Sequence, residues 1–249
     1  MSSHAEPAGP DAPSLVALVA GRTLDAELAA LVWLLVDGHV PLLVVPPPAR
    51  LAAGTQLLRG ALRSLGRDAE AEVACRPLDR AGAWAIAHGE RAGATLGASS
   101  LEELRNLLAG PPFLLSRPEL TFLGCVLILA PPDGQPAGPL RVTVAHYVRP
   151  LARDAAGHPQ ELPPAVLATW DEARSRYEQF AWGVLPEIAA RLGRKAGDLE
   201  ADLHHRRDDL AGLAAAGVTA LADVRPLIAG YRAAYGAPHA DDGAVSRPH

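Results

Sequence analysis

Apolar residues recur along this chain in two rhythms, and each predicts a different element. Leu24, Leu28, Leu31, Val32 and Leu35 follow one another at intervals that place side chains on one face of a helix. Thr23 is the expected N-cap, Asp25 and Glu27 put negative charge at the positive end of the helix dipole, and Asp37-Gly38 ends the run. Val40 to Val45 is apolar throughout, the pattern of a strand covered on both faces in a parallel sheet, with Pro41 tolerable only near its start. A loop from Pro46 to Gly54 then leads to a helix expected to start near Thr55, with Leu57, Leu58, Ala61, Leu62 and Leu65 on its apolar face.

Helix, buried strand, loop and helix in succession is the grammar of an α/β fold. The same patterning continues downstream. Gly93 to Ala98 reads as the end of a strand, and Ser99-Ser100 with Glu102 and Glu103 forms overlapping capping boxes for a helix from Leu101 to Leu108. After the Pro111-Pro112 break comes a second all-apolar strand, Phe122 to Leu129, and then a strand from Arg141 to Val148. Ala165 to Trp170 and Arg176 to Trp182, separated by a polar stretch, predict a hairpin. From Leu185 onward the pattern is helical, with Leu199, Leu203, Leu210 and Leu213 on one face and the charges from Asp198 to Asp209 on a solvated face.

Composition narrows the function classes. With 249 residues, 49% of them hydrophobic, the chain can bury a large core, and because aromatics make up only 4% that core is built from Leu, Val and Ala. A formal charge of −5 supplies no field to attract a polyanion, so nucleic acid is not an expected partner. The longest apolar runs, Leu28 to Val36 and Phe122 to Ala130, fall short of the roughly 20 residues a membrane-crossing helix needs, so no membrane insertion is expected. The first 14 residues are polar and rich in Pro and Ala, unlike a secretory leader. Cys75 and Cys125 lie in segments expected to be buried, without a CxxC or metal-like spacing, which suits a reducing compartment.

The place to look for phosphate chemistry is the junction between Val45 and the Thr55 helix, because helix N-termini after buried strands present free backbone N–H groups to anions. A Walker A loop needs glycines for close backbone approach, a lysine against the phosphates and a hydroxyl for magnesium. With Gly54 as the second glycine, Ala49 stands at the first, Thr55 at the lysine and Gln56 at the hydroxyl position. No shift of register restores the motif, because Lys195 is the chain's single lysine. Losing one preorganised donor costs on the order of 10²–10³ in rate. Arg50 is the nearest substitute cation, although its planar fork is not a point charge. If a cofactor binds here, the residues for it are Arg50, Gly54, Thr55 and Gln56, with ATP and magnesium as the ligand; without the lysine, none is expected.

Other candidates read more simply as structure. Asp79 follows Val73 to Leu78, a poor strand interrupted by Pro77, and is expected as a turn residue and not as a Walker B carboxylate. His204 and His205 are adjacent, so they diverge by about 100° on a helix and cannot share a metal. His146 has no nucleophile motif beside it. No catalytic residue and no metal ligand is assigned.

Several of these segments together resemble the RecA-like ATPases of type II and type IV secretion and type IV pilus assembly. Val40 to Val45 followed by Ala53-Gly-Thr-Gln-Leu-Leu-Arg-Gly-Ala-Leu62 is similar to that family's strand, glycine-lysine-threonine loop and Leu-Leu helix, with the lysine gone. Ala94-Thr-Leu-Gly-Ala98 before Ser99-Ser-Leu-Glu-Glu103 resembles its Ala-Thr-Leu-His-Ala strand and Ser-Leu-Glu-Glu helix, with Gly97 in the histidine position. The Phe122 to Leu129 and Arg141 to Val148 strands, the hairpin around Trp170 and Phe180, and the helical tail through Ala214 to Thr219 are similar to the C-terminal part of such proteins.

The resemblance implies an α/β fold with a RecA-like three-layer core and a mostly parallel sheet, plus a β-hairpin and a C-terminal helical appendage. Residues 1–14 are expected to be disordered, 15–150 to form the core, 151–235 the hairpin and helical region, and 236–249 a disordered tail. It further implies a pared-down, catalytically inactive pseudo-ATPase. Such a protein would act by contact with protein partners of a secretion or pilus machine, including an ATPase ring, in the cytoplasm or peripheral to the inner membrane through those partners. Two alternatives are a nucleotide-dependent ATPase with a noncanonical loop and an unrelated α/β binding domain.

Overall fold

A computed structural model describes residues 12–132, 135, 137–153 and 156–235. The first strand forms where continuous burial predicts it: β1 (Leu42–Val45) is buried at every position. It follows α1 (Leu15–Ala20) and α2 (Ala26–Asp37), and the α2 N-cap is Asp25, not Thr23; the Asp25 carboxylate accepts from Leu28 N at 2.9 Å. The Thr23 carbonyl is committed elsewhere, accepting from Val142 N at 2.8 Å and from the Tyr177 hydroxyl at 2.7 Å. Ordered packing begins before Leu15. Ser14 caps α1 and its hydroxyl donates to Thr219 O at 2.6 Å, and Ala12 is buried, so the disorder expected over 1–14 does not extend to residues 12–14. Residues 1–11 and 236–249, also expected to be disordered, lie outside the described residues.

After β1 come α3 (Leu51–Ser64), α4 (Asp68–Ala74), α5 (Arg80–Ala87), β2 (Gly93–Thr95) and α6 (Leu101–Ala109). The Val73 to Leu78 segment is therefore the end of α4 and a linker, and Asp79 is more than a turn residue: it caps α5, accepting from Gly82 N at 2.7 Å. The α6 cap matches its sequence signature, with Ser100 Oγ accepting from Glu103 N at 3.1 Å and the Glu103 carboxylate accepting from Ser99 N at 2.7 Å.

The remaining elements are β3 (Cys125–Ala130), β4 (Arg141–Tyr147), the short pair β5 (Ala152–Arg153) and β6 (Pro159–Gln160), the hairpin β7 (Ala165–Asp171) and β8 (Arg176–Gln179), and α7 (Leu185–Arg191), α8 (Ala196–Ala215) and α9 (Leu221–Tyr235). The main sheet has the order β2-β1-β3-β4-β7-β8. It is mixed, which corrects the expectation of a mostly parallel sheet: β1 runs parallel to β2 and β3, whereas β3-β4, β4-β7 and β7-β8 are antiparallel. The links 131–140 and 172–175 are too short for the crossover of a dozen or more residues that parallel neighbours require.

Alternation on β1 and β3 divides the core. Leu42, Val44, Cys125, Leu127 and Leu129 pack with α1, α2, α3 and α8, while Leu43, Val45, Val126 and Ile128 pack with α5 and α6. Helices thus cover both faces of the parallel half. The hairpin extends this same sheet through β4-β7 pairing, and α8 lies against α1 and α2, so the C-terminal region shares the core of the preceding one. Among the described residues no helix is long and apolar enough to cross a membrane.

Two buried guanidinium groups organise the periphery. The solvated face expected for Asp198 to Asp209 holds for Glu200, Asp208 and Asp209, but not for Arg206, which is 4% exposed. Arg206 donates to Asp202 at 2.8 Å and to Asp37 at 2.7 Å, and stacks over Trp33 at 4.5 Å. Arg194 and the Tyr231 hydroxyl also donate to Asp202, at 2.6 and 2.7 Å, and Arg232 pairs with Asp37. This cluster ties α2, α8 and α9 together. At the other end of the sheet, Arg91 is 7% exposed and donates to three carbonyls: Gly93 O on the outer edge of β2, and Ala74 O and Arg76 O at the end of α4.

Candidate functional site

In open sheets with helices on both faces, ligands bind beyond the carboxyl ends of parallel strands where successive connections leave toward opposite faces. Here β1 leads to α3, whose Leu58, Ala61 and Leu62 join one core layer, and β2 leads to α6, whose Leu104 and Leu108 join the other. The chemistry offered at that point is set by the residues after Val45.

These residues are Pro46, Pro47 and Pro48, and proline carries no backbone N–H. The chain leaves β1 in an extended path, with Pro46 O accepting from Ala98 N at 3.1 Å, and then turns in a 3₁₀ segment, Pro48–Arg50, closed by Arg50 N donating to Pro47 O at 2.8 Å. Pro48 fixes the backbone angle that starts the turn, so α3 begins at Leu51, four residues ahead of the expected start near Thr55.

That shift changes the surroundings of every candidate residue. Gly54 lies in the first turn of α3 with no ligand-facing space: a Cβ added there would stand 2.6 Å from Pro46 Cγ and 3.1 Å from Thr95 Cγ2. Gly97 is tight for a similar reason, its Cβ position falling 2.7 Å from Pro48 Cα. Both glycines admit a proline against the ends of β1 and β2. The Thr55 hydroxyl is exposed and donates backward to Leu51 O at 3.0 Å, and Gln56 is half-buried one residue on. Arg50 reaches the link that follows β3, donating from Nη1 to Gly138 O at 3.0 Å. The four residues are neighbours along one helix start. Lys195 sits at the N-cap of α8.

Replacing Gly54 with alanine is expected to lower stability by about 1 kcal/mol, because overpacking against a proline ring outweighs the gain in helix propensity. Thr55→Ala should shift it by less than about 0.5 kcal/mol. Urea titrations of both variants check this pair; a neutral Gly54 change would place open space where Pro46 now packs.

Burial pushes the Cys125 thiol up to about 12, so it stays protonated and unreactive at neutral pH. Cys75 is half-buried and also raised, chiefly by burial, with its Sγ 3.6 Å from Thr55 O. Burial lowers His146, which keeps the imidazole neutral; its Nδ1 is buried without a hydrogen-bond partner among the described residues. His204 and His205 are exposed on α8. Among the described residues no group of three His, Cys, Asp or Glu side chains is arranged to hold a metal ion.

The buried arginines Arg91 and Arg206 escaped the sequence reading. Arg206 had a visible signal: Leu199, Leu203, Arg206 and Leu210 share one helical stripe, so an arginine occupies a core position. Arg91 has none, since its acceptors are backbone carbonyls brought in from α4. No protein-family model and no curated protein sequence matches this chain.

Proposed function

We propose that this chain is a catalytically inactive relative of the RecA-like ATPases of type II and type IV secretion and type IV pilus assembly, acting through contacts with protein partners of such a machine at its cytoplasmic side. The observation that carries the reading is the closed junction between β1 and α3. A phosphate cradle is built from successive backbone N–H donors and a cation; here three prolines remove three donors in a row, and Pro46 and Pro48 fill the space beside Gly54 and Gly97. Arg50 donates to Gly138 O, and the Thr55 hydroxyl, which stands at the lysine position beside Gln56 at the magnesium-ligand position, is turned onto Leu51 O. The residues present do not fit a magnesium–triphosphate complex. Kinship is supported by β1 lying between two parallel neighbours and running into α3, as the resemblance requires.

The test has two arms. Calorimetry and thermal shift with ATP and magnesium should give no binding and no shift, and hydrolysis should stay at background. Micromolar binding that Arg50→Ala abolishes would establish the noncanonical ATPase instead. Reciprocal pull-down against the intact ATPase and the membrane platform protein of the host's secretion or pilus machine should retain this chain. Failure to associate with either overturns the partner assignment and leaves an unrelated α/β binding domain.

A further inference from the structure

The two edges of the main sheet are finished differently. At β2 the outward carbonyl of Gly93 is taken by the buried Arg91 guanidinium, 3.0 Å away, which occupies one outward acceptor of that edge. At β8 the strand pairs with β7 alone; Arg176–Gln179 is short and carries two charges, Arg176 and Glu178, but it has no proline, lysine or bulge to stop a partner strand. Phe180 N donates to Leu167 O, and by alternation along an antiparallel ladder Arg176 and Glu178 turn their backbone groups toward β7 while Tyr177 and Gln179 turn theirs outward. The two outward residues are held by their side chains: the Tyr177 hydroxyl donates to Thr23 O at 2.7 Å, and the Gln179 amide donates to Asp25 at 2.8 Å. The free edge is therefore fixed in an extended conformation ready for a partner strand.

We propose that this edge pairs with the same edge of a second copy of the chain, antiparallel and centred on Tyr177. The charge pattern argues for that occupant. In this register Arg176 of each copy lies opposite Glu178 of the other, so one twofold-related pairing makes two cross-strand ion pairs, while Tyr177 exchanges its backbone N–H and C=O with its own counterpart. Among the described residues the Arg176 guanidinium has no ion-pair or hydrogen-bond partner, and the Glu178 carboxylate accepts from Arg174 at 3.2 Å, which leaves acceptor capacity. Phe180 and Trp182, 42% and 74% exposed, follow immediately on β8 and supply apolar surface beside the pairing. This self-association is independent of what the β1–α3 junction binds.

Charge exchange tests it. Sedimentation velocity from low micromolar to near-millimolar protein, at low salt, should show a monomer–dimer equilibrium. Arg176→Glu and Glu178→Arg should each weaken it about tenfold or more, since each turns both cross-strand pairs into like-charge contacts. The double variant R176E/E178R should restore dimerisation, and mixing the two single variants should give a heterodimer. Hydrogen exchange at the Tyr177 amide should slow as concentration rises, and circular dichroism of each variant verifies its fold. A wild-type chain that stays monomeric across the range, a dimer indifferent to the single changes, or a double variant that fails to recover would each overturn the assignment.

Discussion

Replacing Asp202 with alanine should lower the stability of the fold by about 3 kcal/mol, the scale expected when one partner of a buried ion pair is removed and the other is left in place. Asp202 accepts from Arg206, Arg194 and the Tyr231 hydroxyl, and Arg206 is 4% exposed. Without Asp202 the Arg206 guanidinium keeps only Asp37 as an anion, which Arg232 also claims. Asp202→Asn should lose nearly as much, because the amide preserves shape and removes charge. Guanidinium titrations at neutral pH check the size of the effect.

The same residue predicts a pH dependence. Burial pushes the Asp202 carboxyl up, but hydrogen bonds from Arg206 and Arg194 outweigh it and hold the group below the usual carboxylate range. A depressed folded-state value means that the carboxylate contributes stability fully above the unfolded value, about 4, and loses it as the pH falls through the lower folded value. The gap in stability between wild type and Asp202→Asn should therefore be constant above about pH 5 and narrow below about pH 4. A gap that instead widens toward acid would mean that Asp202 is not held as an anion in the fold.

The second large effect is expected at Arg91. Arg91→Met keeps most of the side-chain volume but removes every donor from Gly93 O, Ala74 O and Arg76 O, and buried carbonyls without partners cost about 1–3 kcal/mol each when no water reaches them. Burial lowers the Arg91 pKa, with Asp79 opposing, so the cation is held mainly by carbonyl dipoles at the end of α4. A loss of about 3 kcal/mol is expected, with faster hydrogen exchange in β2 and increased aggregation as the edge opens. A change below about 1 kcal/mol would show that water replaces the guanidinium.

Much of the architecture could be read from local pattern because local pattern causes it. The apolar runs in β1 and β3 are short and end at prolines, which suits a strand buried on both faces, whereas the longer run Leu28 to Val36 forms a buried helix; the Ser100 and Glu103 spacing suits a helix start. α3 starts ahead of the position that the Gly54-Thr55 spacing suggests because Pro48 opens a 3₁₀ turn. The Walker-like reading of Gly54 could not be settled by spacing, since a glycine admits either a phosphate or a neighbouring ring, and Thr95, from another strand, helps to make it the ring of Pro46.

The chain's own order of residues thus determines that this is an α/β protein, where α2, α6 and the inner strands β1 and β3 lie, and that no lysine stands at the mouth of β1; the short helices α1, α4 and α5 are not legible in it. Tertiary structure alone decides the order of the strands and the pairing of β7 with β4, the capture of the outward Gly93 carbonyl by Arg91, and the burial of Arg206 against Asp37, 169 residues away. The physical reason is range. Periodicity and capping act within one element, whereas a charge or a hydrogen-bond donor in the core is tolerable only when distant segments bring it a partner.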